Sequence, residues 1–187
     1  MSKVAITGNA SGTGVFTVAS PNSNTDRTLT LPDETGTVIT TATPGVPVNG
    51  PAFSAYSNAN QTISASTATK ISFNAEEFDT NLNFDSTTNY RFTPTVAGYY
   101  QLNFSAQFSY STATRVNIQI YKNGAFYKRV TDVNVAVSSI AGGAVVYFNG
   151  STDYVEIYGY LTGTGTITIN GGTSDVTWFN GAMVRSA

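Results

Sequence analysis

Between residues 99 and 110 the chain alternates without a slip. Tyr100, Leu102, Phe104, Ala106, Phe108 and Tyr110 fall on one side of an extended backbone. Tyr99, Gln101, Asn103, Ser105, Gln107 and Ser109 fall on the other. Successive side chains of a strand point to opposite faces, so this period of two predicts a β-strand with one buried face. A helix would spread the same aromatics around its whole circumference. Pro94 and Gly98 turn the chain just ahead of it. The stretch reads as the central strand of a sheet.

Shorter runs around it read the same way. Strands are predicted at 53–56, 69–73, 84–85, 90–92, 114–121, 126–137, 139–148, 154–161, 163–170 and 177–184, with turn residues between them. In the run at 114–121, Val116, Ile118 and Ile120 should face inward, with Arg115, Asn117, Gln119 and Tyr121 outward. Asn123-Gly124 is the pair that tolerates positive φ in a two-residue hairpin turn. Strands at this spacing, with no helical period anywhere, predict an all-β sandwich.

Ahead of this sandwich the pattern thins. Residues 1–43 predict short strands at 4–7, 14–19, 27–31 and 37–41, separated by Gly- and Asn-rich turns. So few large apolar groups bury little surface alone, so this arm is expected either to be disordered or to fold by interleaving with other copies or docking on a larger body. Three prolines and two glycines fall between Thr43 and Pro51, which marks 44–50 as a linker. The sandwich should then occupy 51–187.

Composition narrows the chemistry. Charged residues are 11% of the chain, against about 25% for ordinary soluble domains. The polar surface must therefore be Ser, Thr, Asn, Gln and Gly. Net charge is −2, and the nine basic residues are scattered along the sequence, so no phosphate-neutralising cluster and no nucleic-acid partner are expected. Histidine and cysteine are both absent, which excludes Ser–His and Cys–His catalysis, disulfides and thiolate metal sites. What is left is carboxylate chemistry, and Glu76, Glu77, Asp79 and Asp85 are expected to be solvated loop residues rather than a facing pair. Gly12-Thr13-Gly14 and Gly163-Thr164-Gly165 precede no helix and read as turns, not phosphate cradles. No apolar run follows Met1-Ser2-Lys3, and no stretch nears the ~20 apolar residues of a membrane helix. The expectation is a soluble, non-enzymatic protein made in a cytoplasm, with no catalytic residue, cofactor, metal or membrane insertion.

Phe73, Asp79, Phe84, Phe92, Gly98, Tyr100, Leu102 and Phe104 fall at nearly the spacing of a known pattern, joined by P-A-F-S-A at 51–55, I-Y-K-N-G at 120–124, D-Y-V-E-I at 153–157 and W-F-N-G-A-M-V at 178–184. In this the chain resembles the globular heads of the complement C1q family, which share a jelly-roll fold with tumour necrosis factor. One extra residue between Phe84 and Phe92, and Leu102 in place of the usual Phe, are its departures. The resemblance implies a core built on Phe73, Phe92, Gly98, Tyr100, Phe104, Phe179 and Gly181, and a homotrimer. Calcium sits in some such heads. Here Asp132, Asp153 and Asp175 lie near strand ends without a spaced Asp array, and no metal is expected.

The segment G-V-F-T-V-A-S-P-N-S-N-T-D-R-T-L-T-L-P-D-E-T-G-T-V resembles a module of bacteriophage tail-fibre and other virion proteins. Together the two resemblances imply a trimeric fibre or appendage component at the particle surface. Residues 1–43 would hold other virion proteins, and the head would meet a host-surface glycan or protein. The alternatives are a capsid decoration or head-fibre protein with a purely structural role, and a carbohydrate-binding adhesin from a non-viral source. A binding head should show an exposed aromatic or charged loop patch at its outer end, and a structural part should not. In the strand at 154–161, Val155, Ile157 and Leu161 should face the core. Tyr154, Tyr158 and Tyr160 would then form a stripe on the opposite face, the candidate trimer interface.

Overall fold

The computed structural model describes residues 50–134 and 138–187 throughout and, ahead of them, residues 11–15, 17, 19, 22–26 and 28. The linker at 44–49 and the arm strands expected at 4–7 and 37–41 lie outside the described residues. Within the strand expected at 14–19, the described Gly14, Val15, Thr17 and Ala19 are not in strand and are exposed. Bends at Asn22, Asn24 and Thr25 fall where turn residues cluster, and the Thr25 amide donates to the Ser23 hydroxyl at 3.1 Å.

Thirteen strands follow: β1 (Ala52–Tyr56), β2 (Gln61–Ile63), β3 (Thr69–Lys70), β4 (Ala75–Asp79), β5 (Phe84–Asp85), β6 (Arg91–Phe92), β7 (Gly98–Ser109), β8 (Thr112–Lys122), β9 (Ala125–Val133), β10 (Ser139–Phe148), β11 (Val155–Thr164), β12 (Ile167–Ile169) and β13 (Trp178–Ser186). No helix occurs among the described residues. The first sheet runs β2-β12-β7-β13-β1-β4, with β10 pairing β7 beside β12. The second runs β5-β6-β11-β8-β9, with β3 pairing β11. All pairings are antiparallel. This is a two-sheet jelly roll.

β7 takes the central place its alternation predicts: Tyr100, Leu102, Phe104, Ala106 and Phe108 are buried, while Tyr99 and Ser109 are exposed. The aromatic core gathers around Phe53, which stacks on Phe84 and Phe92 at 5.0 and 4.3 Å and meets the edge of Phe179 at 4.8 Å. Phe73, Phe92, Gly98, Tyr100, Phe104, Phe179 and Gly181 are all buried. The two glycines are there because strands come too close for a side chain. A Cβ at Gly98 would stand 2.4 Å from the Arg185 carbonyl oxygen, and one at Gly181 2.7 Å from Leu102.

Three expectations need correction. Glu76, Glu77 and Asp79 are not loop residues but lie on β4, a short edge strand whose A-E-E-F-D sequence carries no alternation to announce it. Asp79 ties the turn beyond it, accepting the amides of Asn81 at 3.2 Å and Phe84 at 2.7 Å. The run expected at 163–170 is split: Gly163 and Thr164 end β11, Gly165 turns at φ 79°, and only Ile167–Ile169 forms a strand. The run at 69–73 shortens to two residues, although the Ile71 amide still reaches the Ile157 carbonyl at 2.9 Å.

The registers define two ends of the sandwich. Gly50, the turns at 80–83, 93–97, 123–124 and 149–154, and the terminal Ala187 gather at one end. The turns at 57–60, 64–68, 110–111, 165–166 and 170–177 gather at the other. The chain enters and leaves the head at the same end.

Candidate interaction surface

With its core apolar, the sandwich shows the outside two sheet faces of different character. On the first sheet, side chains opposite the core form rows across β1, β13, β7 and β10. Nearest the far end stand Tyr56, Trp178, Ser105 and Ala141. The next row is Ser54, Asn180, Asn103 and Gly143, and then Ala52, Ala182, Gln101 and Val145. None of these twelve carries a charge. An amide chain crosses the middle: Gln101 Nε2 donates to Asn103 Oδ1 at 3.0 Å, and Asn103 Nδ2 to Asn180 Oδ1 at 3.2 Å. The face has relief. A shallow hollow of about 410 Å³ lies among Ser54, Glu77, Phe78, Asn103 and Asn180, and one of about 510 Å³ among Tyr99, Tyr147, Val184 and Arg185. Phe78, Tyr99, Val145, Tyr147 and Val184 are all exposed around them. Val184 is pushed out by a register shift between Met183 and Arg185.

The second sheet's outer face carries the tyrosine stripe. Tyr154, Tyr158 and Tyr160 do lie opposite the buried Val155, Ile157 and Leu161, as expected. None of the three is bare. The Arg91 guanidinium sits 4.2 Å over the Tyr154 ring, Tyr158 stacks on Tyr121 at 3.9 Å, and Arg115 stands 5.9 Å from the Tyr160 ring centroid. Burial pushes the Tyr158 phenol above its ordinary value, with the neighbouring Glu156 charge adding to it. The Thr162 hydroxyl donates to the Tyr160 oxygen and lowers its pKa. Beneath these rings Asn117 and Gln119, expected to face water, are buried, with Gln119 Nε2 donating to Asn117 Oδ1 at 2.7 Å. Large flat neighbours on an outer face bury small polar ones, which a parity count along one strand does not reveal.

Ion pairs edge this second face. Lys70 meets the buried Glu156 at 3.1 Å, Arg115 grips Asp132 in a two-point contact at 2.8 and 2.7 Å, and Arg129 joins the same carboxylate at 3.3 Å. The Arg115 hydrogen bond holds the Asp132 pKa below the usual carboxylate range. Asp153, at the turn into β11, is held low chiefly by the Asn123 carboxamide and also pairs with Lys122 at 2.9 Å.

Nothing among the described residues assembles three or more ligand-type side chains for a metal ion, and no described helix is long and apolar enough to cross a membrane. The Glu76 carboxylate accepts from the Ser86 hydroxyl at 2.5 Å and Glu77 from Ser54 at 2.7 Å. Asp85 is wrapped by the amides of Thr87, Thr88 and Asn89. These acids are engaged in local hydrogen bonds.

No family model and no curated protein matches the chain. Solved structures do. The globular domain of zebrafish complement 1qA is 22% identical, covering 73% of this chain and 99% of its own, with a TM-score of 0.51. Murine APRIL at pH 8.5 is 10% identical over 73% and 100%, with a TM-score of 0.53. The PRD1 vertex protein P5, from a phage particle, is 13% identical over 72% and 96%, with a TM-score of 0.52. At these identities the likeness is one of fold: the head is a jelly roll of the C1q and tumour necrosis factor type.

Proposed function

We propose that the chain is a non-enzymatic structural protein of a bacteriophage particle, a fibre or appendage component whose heads assemble as a homotrimer. The uncharged middle of the first sheet's outer face carries this reading. Interface cores are depleted in charge and enriched in aromatic residues, and this face combines twelve uncharged positions with exposed Tyr99, Tyr147, Val145 and Val184. Joining subunits in a closed ring needs two different surfaces on each chain. The second is supplied by Phe126 and Tyr127, both exposed on the edge strand β9. The stripe of Tyr154, Tyr158 and Tyr160 is the weaker candidate, because its rings already have partners within the chain. The jelly-roll fold shared with a phage vertex protein and the arm's resemblance to virion modules support the particle setting. The arm would bind other virion proteins.

Because the chain enters and leaves at one end, the opposite end would project, available to a host surface. Trimeric display makes later contacts intramolecular and raises avidity without a tight single site. Among the described residues, however, the far-end turns carry no exposed aromatic and one charged group, Asp175. That favours the second reading, a decoration or head-fibre protein, for the tip itself. Mass spectrometry and antibody labelling of purified particles test the proposal: the chain should be a particle component, and its absence from particles would contradict it.

A further inference from the structure

We propose that the outer face of the second sheet is the ligand-binding wall of the head, and that its ligand is an acidic polysaccharide. The inference rests on the host-contact reading and names its chemistry. Four of the nine basic residues, Lys70, Arg91, Arg115 and Arg129, stand on the outer side of this one sheet. Against them stand three acids, Asp85, Asp132 and Glu156, which leaves this face at +1 in a chain whose net charge is −2. The first sheet shows the opposite, Glu76, Glu77 and Asp79 against Arg185.

The cations are positioned as well as numerous. Arg91 stands over the Tyr154 ring, Lys70 is held between strands by Glu156, and Arg115 is fixed by Asp132 beside Tyr160. They follow β11 for about 20 Å, six residues of extended chain. A guanidinium resting on a ring or held by a carboxylate has already lost rotamer freedom, so little more is lost when it meets an anion. Arg91 stands over its tyrosine ring at 4.2 Å and is in no ion pair among the described residues. Its N–H groups can therefore receive carboxylate, phosphate or sulfate oxygens. The partly exposed rings of Tyr121 and Tyr158 offer apolar surface for sugar rings between those groups. A face of aromatic rings and fixed cations suits a chain that alternates pyranose rings with anionic groups. Burying the first sheet's face between subunits would leave this wall outward on each of the three copies.

The test measures binding of the full-length protein to immobilised polygalacturonate and dextran sulfate, with unsubstituted dextran and duplex DNA as controls. Expected is binding to both acidic polymers that weakens as salt screens it, with no binding to dextran. The double variant Arg91→Ala/Arg129→Ala should lose about tenfold or more, the scale of one charge-assisted hydrogen bond, with oligomeric mass and circular dichroism unchanged. No binding to the acidic polymers, equal binding to dextran, or an unaffected double variant would overturn the inference. DNA bound as tightly as the polysaccharides would overturn it too, as mere polyanion attraction. A protein that adsorbs to host cells yet ignores both polymers sinks this inference and leaves the host-contact reading standing.

Discussion

Tyr99 on β7 and Tyr147 on β10 face each other across paired strands, their ring centroids 5.4 Å apart and their planes inclined at 57°, both exposed. An aromatic cross-strand pair stabilises a sheet, but this one keeps much of its apolar surface in water. If subunits meet on this face, a carboxylate placed in the pair is carried out of water, a cost that Arg185, opposite Tyr99, offsets only in part. Tyr147→Asp should therefore shift the protein to smaller species at micromolar concentration while leaving its circular dichroism unchanged. Tyr158→Asp, on the other sheet, should leave the mass as it was. Sedimentation velocity on the two variants separates the faces, and the reverse pattern would restore the tyrosine stripe as the interface.

Tyr100, buried beneath that face, donates its hydroxyl to the Val96 carbonyl at 2.7 Å. Tyr100→Phe keeps the ring and leaves that acceptor without its donor, so a loss of about 1 kcal/mol is expected in urea unfolding. Burial pushes the Tyr100 pKa up to about 12. A raised folded-state pKa means this group's contribution is whole below pH 10 and lost as pH climbs from 10 toward about 12. The Phe variant should flatten that part of the alkaline limb.

Acid acts through carboxylates. Asp85 is held well below its ordinary range, first by the Thr88 amide, Asp132 by Arg115 and Asp153 by Asn123. Depressed folded-state values mean stability that is present above the unfolded value near about 3.9 and declines as pH falls below it. Thermal melts between about pH 5 and pH 2 should show that decline, and Asp85→Asn should be less stable at neutral pH with a shallower acid limb. A variant as acid-sensitive as the parent would contradict the assignment.

The β8–β9 hairpin turns on Asn123 and Gly124, at φ 54° and 77°. Asn123 also receives the Tyr154 amide at 2.9 Å and donates to Asp153 at 2.8 Å, so this turn fastens the next one. Gly124→Ala should cost about 1 kcal/mol in chemical denaturation, since a Cβ disfavours positive φ.

The long strands were legible because burial on one side writes itself into alternation: Tyr100 through Phe108 and Val116 through Ile120 could be read directly. Two of the short ones were not. Gln61–Ile63 and Ala75–Asp79 are held by neighbours far along the chain, Ile167–Ile169 and Ala52–Tyr56, rather than by a pattern of their own. Surface function was less legible still. Lys70, Arg91, Arg115 and Arg129 stand far apart in sequence, and only the pairing of β3, β6, β8 and β9 around β11 puts them on one sheet. The tyrosine stripe could be counted along β11, but Arg91 and Tyr121, which cover it, come from other strands.

In the proposed trimer, copies of this chain close through the uncharged middle of the first sheet's outer face. Sedimentation equilibrium of the purified protein tests it most directly. The account predicts a single species of three times the 19.7 kDa chain, unmoved by salt because no ion pair would hold the interface core. A monomer at 19.7 kDa across the micromolar range would contradict it.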